Sequence, residues 1–464
     1  MESAIAVPSG KGLKTASGPR GEWLFGHLRE FRSDPLGLLV RVASEHGDVV
    51  ALRFVNRRMY LLRRPEHVRY VLQDNSKNFD KQTIGYRRLR AILGNGLVTS
   101  EGTFWLRQRR IMQPAFHRES VQAFGGTMVR LTREMLDSWE RRIGLEEPPD
   151  VAGEMHALTL RIVAQTLLST DVQKHAEAVG RSLNELLQQV LNRTSTVFEL
   201  PRWIPTLKNL RFKRAKRALD QIIFGMIAIR QRSGRAEGDL LDLLLAARDE
   251  ESGEGMTPHQ LRDEVMTIFL AGHETTANAL SWSWLLLSEH PAVVRALQSE
   301  LTRVLGQRAP TVEDLPKLSY TGQIIEEAMR LYPPVWLLVR RVLGDDEIGG
   351  YRIPKNSYVM LSPYLTHRDA EFWSNPEGFD PERFSPETRR QLPRYAYFPF
   401  GGGPRVCIGN SFAMMEAQLV LATIAQRFEL HRVPGSRIEA QPSVTLRPKF
   451  GIRMTPERVY AART

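Results

Sequence analysis

Apolar residues recur at the three- to four-residue spacing of α-helices along most of this chain. The segment "SDPLGLLVRVASEHGD" begins with a capping residue and a proline, and then continues at helical spacing. Helical spacing also covers nearly all of residues 119–250, with a break at "ELPRWIPTLKN". The short runs "VVALRF" and "MYLLRR" predict a β-hairpin. The pattern therefore predicts a mainly α protein with small β-sheets.

The longest predicted helix starts at a capping box formed by Thr257 and Gln260, with Pro258 in its first turn. Its pattern continues to His290 and Pro291, which corresponds to a helix about 50 Å long. A helix of that length is expected to run through the middle of one body. Length alone would allow about three domains, but no linker or repeat separates them. We expect a single domain over residues 1–464, with a flexible N-terminus of about 20 residues.

Composition narrows the class of protein. The chain is 42% hydrophobic and 25% charged, as globular proteins are, and its net charge of +12 suggests an acidic partner surface rather than nucleic acid. A single cysteine precludes an internal disulfide and suits a reducing compartment. The sequence shows no signal peptide and no membrane span. These features predict a cytoplasmic protein.

The stretch "FLAGHETTANAL" stands out within the long predicted helix. Gly272, Thr275 and Thr276 are poor choices for a helix interior, and His273 and Glu274 interrupt an apolar run. One interpretation is an exposed polar face. The alternative is a buried acid beside a buried alcohol, which proton delivery would explain.

The only cysteine, Cys407, follows three glycines and Arg405 in "FPFGGGPRVCIGN". A lone cysteine is most often an inert core residue. Here a predicted helix follows, so that amides and the helix dipole can stabilise a thiolate, and the glycines allow close approach of a flat partner. A thiolate, an arginine for a carboxylate and a glycine-rich platform together describe one face of a haem site.

Four ordered motifs make the chain resemble the cytochrome P-450 monooxygenases over nearly its whole length. The cysteine segment matches the haem-binding signature of that family, and three further motifs occur in the family's order. They are "WLRQR" (residues 105–109), "AGHETT" (residues 271–276), and "EAMR" (residues 327–330) with "PERF" (Pro381–Phe384). The resemblance implies the cytochrome P-450 fold, with the long central helix over a haem.

The resemblance also implies roles for individual residues. Cys407 would be the axial ligand of haem b, and Glu274 and Thr275 would organise water and deliver protons. Trp105, Arg109, Arg405 and, in some members, Arg340 would bind the haem propionates. The other implied cofactor-binding residues are Phe400, Gly401, Gly409 and Ala271. The implied substrate pocket is lined by Val98, Ala271, Val335 and Leu338. Glu327, Arg330 and Arg383 would form a buried structural cluster.

The implied reaction is insertion of one oxygen atom from O₂ into a lipophilic small molecule, with a fatty acid or a terpenoid favoured. The chain after Cys407 is too short for a fused flavin reductase, so a ferredoxin or flavodoxin with its own reductase is the expected electron donor. Its expected docking surface is basic, and comprises Arg107, Arg110, Arg389, Arg390 and Arg394. Two alternatives remain open: a peroxide-driven peroxygenase or isomerase, and a haem-binding sensor.

Overall fold

The computed structural model describes residues 12–459, apart from 142, 144–146, 170–179, 181, 184, 187–188, 190–202, 234–237 and 249–252. Within these residues the chain divides into two compact units. The sheet unit comprises Met1–Thr83, Leu337–Thr366 and Pro393–Arg405, and the helical unit comprises Ile84–Trp336, His367–Leu392 and Val406–Thr464. Both are built from stretches that are far apart in the sequence.

The sheet unit is organised around a five-stranded sheet. Its strands are β1 (Val49–Phe54), β2 (Arg57–Leu62), β3 (Phe79–Asp80), β4 (Leu338–Val342) and β7 (Tyr358–Leu361), in the order β1-β2-β7-β4-β3. Strands β1 and β2 form the expected antiparallel hairpin, β2 is parallel to β7, and β4 is antiparallel to both β7 and β3. A separate hairpin joins β5 (Asp346–Ile348) and β6 (Tyr351–Ile353).

Short helices and one apolar core complete the sheet unit. The helices are Leu28–Ser33, Pro35–His46, Pro65–Arg69, Pro363–Thr366, a π-turn at Tyr70–Asp74 and 3₁₀ turns at Ser76–Asn78 and Gly403–Arg405. The core contains Tyr60, Leu62, Val342, Val359 and Phe398. Of the N-terminus that was expected to be flexible, residues 1–11 lie outside the described residues. The main-chain N–H of Lys14 donates to the carbonyl of Gly350, and the carbonyl of Ser17 accepts from the main-chain N–H of Ala51.

The helical unit contains the long helix, which spans Pro258–Glu289. Its capping box is present in both directions, and Pro291 follows its C-terminus, so the predicted start and end are confirmed. Thirty-two residues at a rise of about 1.5 Å give a length of about 48 Å. The long helix packs most extensively against the helix Val151–Leu167. Because nearly all of its residues from 261 to 287 are buried, it forms the centre of this unit.

The described residues of the helical unit contain further helices, several of which pack against the long helix. They are Ile84–Leu93, Gly102–Met112, Arg118–Gln122, Gly125–Glu140, Leu207–Ser233, Leu240–Ala246, Pro291–Leu305, Ser319–Leu331, Pro386–Arg389 and Asn410–Arg427, with 3₁₀ turns at Gln113–Phe116, Val312–Lys317 and Pro381–Phe384. The strands β8 (Phe428–Arg432) and β11 (Met454–Arg458) pair with each other, as do β9 (Ala440–Pro442) and β10 (Leu446–Pro448). The expected mainly α fold with small sheets is confirmed. None of the described helices is long and apolar enough to cross a membrane.

Candidate active site

The middle of the long helix is buried except at one place, where two of its side chains are accessible to solvent. Ala271 is exposed and Thr275, one turn later, is partly exposed, whereas residues 264–270 and 276–287 are buried. The helix continues unbroken through this stretch, and Thr275 Oγ1 donates to the carbonyl of Ala271 at 2.7 Å. Gly272 is explained by packing, because a Cβ there would lie 2.9 Å from Val163 Cγ2. A small residue and a hydroxyl therefore face open space from a rigid support.

Glu274 is buried, with 3% of its surface exposed, which agrees with the second of the two interpretations of this stretch. Its Oε1 accepts a hydrogen bond of 2.6 Å from Thr445 Oγ1, and the same hydroxyl accepts from Asn278 Nδ2 at 3.2 Å. The acid is thus held by a hydroxyl from the segment between β9 and β10. Thr445 and Asn278 were missed by the sequence reasoning, because no motif links residue 445 to the long helix.

Residues 443–446 connect several parts of this region. Trp282 Nε1 donates to the carbonyl of Leu446 at 3.0 Å, and Trp336 Nε1 donates to that of Ser443 at 2.9 Å. The main-chain N–H of Leu446 also donates to the carbonyl of Pro334. Val335, a predicted pocket residue, lies between these attachment points and is half-buried. The segment therefore positions both Glu274 and Val335.

Cys407 lies just before the helix Asn410–Arg427, whose cap is Gly409. Its side chain is exposed, yet surrounding protein is dense enough that burial raises the pKa of the thiol above its usual value. A side chain that is both accessible and surrounded lies in a recess. The main-chain N–H of Gly409 opposes this rise, as expected of an amide at a helix N-terminus, and so does the charge of Arg109, which was expected only to bind a propionate. A metal cation at the sulfur would supply the further positive charge that a buried thiolate requires.

Arg109 contacts the main chain of the residue that precedes Cys407. It occupies the helix Gly102–Met112 and is half-buried, and its Nη1 donates to the carbonyl of Val406 at 2.9 Å, while its Nε donates to Gln113 at 2.8 Å. Burial lowers the pKa of Arg109 from its usual value. Trp105, one turn earlier on the same helix, is also half-buried. The two predicted propionate-binding residues of this helix therefore share a face, and one of them contacts the residue before Cys407.

The glycines before Cys407 do not all serve the purpose that the sequence suggested. A Cβ on Gly403 would lie 1.8 Å from the carbonyl oxygen of Leu72, and one on Gly402 would lie 2.2 Å from the ring of Tyr395. These two glycines therefore permit close packing within the sheet unit rather than the approach of a cofactor. Gly401 differs, since it has a φ of +70° and its Cβ would meet only Leu338, at 4.0 Å. Of the three glycines, Gly401 is therefore the one with open space where a side chain would lie.

The other predicted residues of the sheet unit lie near Gly401. Leu338 and Arg340 are alternate residues of β4 and so point to the same face. Arg340 is 6% exposed, whereas Leu338 is half-buried. Phe400 precedes Gly401 and is half-buried, and Arg405 ends the 3₁₀ turn Gly403–Arg405. Within the sheet unit, Leu338 therefore lies beside Gly401, and Arg340 shares the strand face of Leu338.

Glu327, Arg330 and Arg383 form the buried cluster that the resemblance implied. Arg330 Nε and Nη2 donate to the Glu327 carboxylate at 2.6 and 2.8 Å, and both residues are completely buried. Arg383 Nε donates to the same carboxylate at 3.3 Å. The remaining N–H groups of Arg330 donate to three main-chain carbonyls, those of His367, Pro376 and Gly378. This cluster joins a helix to the segment 367–383.

The residues present fit a haem with one cysteine ligand. In the described part of the chain, no group of three His, Cys, Asp or Glu side chains could hold a metal ion by itself. A metal centre here would therefore depend on the single thiol of Cys407 and on a prosthetic group that supplies the other donors. Within the helical unit, the open surface at Ala271 is the kind of surface that a flat apolar ring needs.

Comparison with known proteins agrees with this geometry. A family model described as "Cytochrome P450" matches residues 16–457. The chain is 40% identical to cyclooctatin synthase of Streptomyces melanosporofaciens, over 95% of each chain. It is 37% identical to cyclooctat-9-en-7-ol 5-monooxygenase of the same organism, over 93% of each chain. It is also 35% identical to pentalenene oxygenase of Streptomyces avermitilis, over 91% of each chain.

Proposed function

Since this chain belongs to the cytochrome P450 family and is a P450 monooxygenase, we propose that it hydroxylates a terpenoid. The names of three relatives support the substrate class, because they refer to cyclooctatin, cyclooctat-9-en-7-ol and pentalenene. The observation that carries the proposed chemistry is the open face of the long helix. Ala271 and Thr275 are accessible there, beside the buried acid Glu274.

The proposed cofactor is haem b, with Cys407 as its protein ligand. Thiolate-ligated haem supplies O₂ activation and the transfer of one oxygen atom to a C–H bond. The protein's part is to hold the thiolate, with the Gly409 amide and Arg109 stabilising its charge. Trp105, Arg109, Arg340 and Arg405 would bind the propionates, and charge-assisted hydrogen bonds from arginine suit carboxylates.

Proton delivery is assigned to Thr275 and Glu274. The hydroxyl of Thr275 lies on the accessible face and can pass a proton by rotating away from the carbonyl of Ala271. Glu274 is the neighbouring acid, and its contact with Thr445 keeps its carboxyl group in place. Water would link the acid to the hydroxyl, as general acid catalysis through one water allows.

An apolar substrate is supported by the side chains proposed to line its pocket. Val98, Val335 and Leu338 are half-buried, and Ala271 is exposed. Apolar side chains that stay accessible within a protein interior are typical of ligand sites. A multi-ring or macrocyclic hydrocarbon would bury them, and fatty acids remain the second candidate.

The proposed electron donor is a ferredoxin or flavodoxin with its reductase. Arg110, Arg389 and Arg390 are exposed on the helical unit. Arg389 also pairs with Glu326, and Arg107 donates to the carbonyl of Glu254. Arg394 belongs to the sheet unit. If these arginines attract an acidic carrier, the rate of reduction will fall steeply as ionic strength rises.

The test combines ligation with substrate binding. Reduced, haem-loaded protein under carbon monoxide should show the strongly red-shifted Soret band of a thiolate complex, and Cys407→His should abolish it. Wild-type protein should give type I spectral shifts with pentalenene or cyclooctat-9-en-7-ol, and weaker ones with palmitic acid. Product formed from peroxide, with none formed from O₂ and electrons, would instead favour the peroxygenase alternative.

A further inference from the structure

Glu264 is a buried acid that the proposed reaction does not use. It lies on the long helix two turns before Ala271, and none of its surface is exposed. Its Oε2 accepts a hydrogen bond of 2.9 Å from the main-chain N–H of Leu97. Its Oε1 has no hydrogen-bond partner among the described residues. A buried carboxyl group with one of its oxygens unpaired is costly, so its presence here needs an explanation.

The partner of Glu264 belongs to residues 94–100, which we call the pocket loop. Beside Glu264, Asp263 Oδ2 accepts from the amide of Asn95 at 2.7 Å. The loop is also closed on itself, because Thr99 Oγ1 donates to the carbonyl of Gly94 at 2.7 Å. Two consecutive carboxyl groups of the long helix therefore hold two main-chain amides of one loop.

At two positions, Gly94 and Gly96, the main chain of the pocket loop lies so close to the long helix that a side chain would not fit. A Cβ on Gly94 would lie 2.0 Å from Asp263 Oδ1, and Gly94 has a φ of +68°. A Cβ on Gly96 would lie 2.2 Å from Thr267 Oγ1. The sequence "LGNGLVTS" is therefore shaped for contact with this stretch of helix.

Asn95 is exposed at the start of the loop, and docking leaves one further side chain accessible. Gly96, Leu97, Thr99 and Ser100 are buried, and Val98 alone among residues 96–100 is partly exposed. Val98 directly follows the residue that Glu264 binds. Its position therefore depends on the hydrogen bond between Leu97 and Glu264.

We propose that Glu264 is a positioning residue that latches the pocket loop onto the long helix and thereby sets how much space Val98 leaves for a substrate. The part that concerns substrate rests on the proposed function, whereas the latch itself does not. The ligand affected is an apolar molecule large enough to contact Val98.

The latch depends on the protonation of Glu264. Burial, opposed by the amide of Leu97 and aided to a smaller extent by the charge of Asp263, raises the pKa of Glu264 to about 8. The other charged groups nearby have partners: Arg262 binds Asp220 and Asp263, and Arg90 donates to the carbonyl of Thr99. Because the pKa is higher in the latched state, the latch is strongest at low pH. It weakens as pH rises from the ordinary range of a glutamate to about 8.

Hydrogen exchange at residues 94–100 in the haem-loaded protein tests the latch without reference to activity. Glu264→Leu removes the acceptor and leaves the amide of Leu97 unpaired, so exchange should rise at least about tenfold. Glu264→Gln keeps an acceptor oxygen and cannot ionise, so it should retain protection and lose the pH dependence. Asp263→Asn removes the neighbouring charge, and should move the upper end of the pH dependence below about 8.

Two haem ligands of different size test the effect on the pocket and need no native substrate. Imidazole is small, whereas 4-phenylimidazole must also find room for its ring. Glu264→Leu should change the ratio of their dissociation constants by about tenfold, the change expected from losing one buried hydrogen bond, and Glu264→Gln should not.

Unchanged exchange in Glu264→Leu would overturn the latch, and so would equal changes in the Leu and Gln variants. A released loop with an unchanged ratio of affinities would overturn the role in ligand selection. Failure of pentalenene and cyclooctat-9-en-7-ol to bind would count against the proposed function and leave the latch result as it stands.

Discussion

Two buried acids of the helical unit, Glu327 and Glu274, are stabilised in opposite ways. Glu327 is bound by the guanidinium groups of Arg330 and Arg383 and by the amide of Asp380. Glu274 is bound by the hydroxyl of Thr445, which carries no charge. Burial raises the pKa of Glu327, and the charges of Arg330 and Arg383 oppose that rise, whereas Glu274 has only a neutral donor on its carboxyl group among the described residues. The first arrangement serves structure, and the second suits proton delivery.

The surroundings of the two acids reinforce this difference. Glu327 and Arg330 have no exposed surface, and all five N–H groups of Arg330 are used. Glu274 has next to it in sequence the accessible hydroxyl of Thr275. Burial of an acid alone is therefore a poor guide to function, and the charge and exposure of its partners are a better one.

The largest effect on folding is expected at the buried ion pair between Glu327 and Arg330. Arg330→Met leaves the carboxylate of Glu327 buried and short of its main partner, so the free energy of unfolding should fall by about 3–5 kcal/mol. Urea unfolding measures this loss. Arg389→Met is the matched control, because Arg389 is 54% exposed in its pair with Glu326, and it should cost at most about 1 kcal/mol. Similar losses in the two variants would remove the distinction.

The largest effect on chemistry is expected at Thr275. Thr275→Ala should leave haem binding and electron consumption nearly unchanged and divert most electrons to hydrogen peroxide, since general acid catalysis typically contributes about 10²–10⁴-fold. Product and peroxide formed per electron are the quantities to measure.

Thr276 supplies the control for Thr275. Its hydroxyl is buried and lies toward Glu416, whose raised pKa it partly offsets. Thr276→Ala should therefore keep most of the coupling between electrons and product. A greater loss in Thr276→Ala than in Thr275→Ala would contradict the proposed relay.

A pH dependence is expected from the histidine beside Glu274. Burial, and to a smaller extent the nearby His156, lower the pKa of His273 to about 4. Because the pKa of His273 is lower in the folded state, protonation of His273 favours unfolding. The free energy of unfolding should therefore be at its full value above about pH 6.5 and should fall as pH falls toward 4. At about 1.4 kcal/mol per pKa unit, the loss is about 3 kcal/mol.

Unfolding free energies measured between pH 4 and 7 test this dependence. His273→Phe should lack this part of the pH dependence, whereas His117→Gln, at an exposed position, should keep it. A wild-type slope in His273→Phe would show that another group is responsible.

The smallest effect is expected at Thr445. Thr445→Val keeps the shape of the side chain and removes the hydroxyl that donates to Glu274, which should cost about 1–3 kcal/mol. It should also reduce coupling to product less than Thr275→Ala does. Thr423→Val removes a hydroxyl that bonds only to the carbonyl of Leu419 in its own helix, and serves as the control for folding. Full coupling in Thr445→Val would show that Thr445 does not position Glu274.

The sequence alone determined the features that depend on neighbouring residues. The capping box at Thr257 and Gln260, the unbroken long helix and the hairpin of β1 and β2 were all predictable. So was the pairing of Glu327 with Arg330, since residues one helical turn apart share a face. The motifs around Cys407 and Thr275 indicated the family for the same reason, because each is a short run whose spacing can be read directly.

Only the tertiary structure decided which distant residues meet. Thr445 reaches Glu274 across 171 positions of sequence, and Leu97 reaches Glu264 across 167. The purpose of Gly402 and Gly403 also emerged only from their contacts with Tyr395 and Leu72. Periodicity and capping act over a few residues, whereas these contacts depend on how whole helices and loops pack, and no local pattern in the chain encodes that packing.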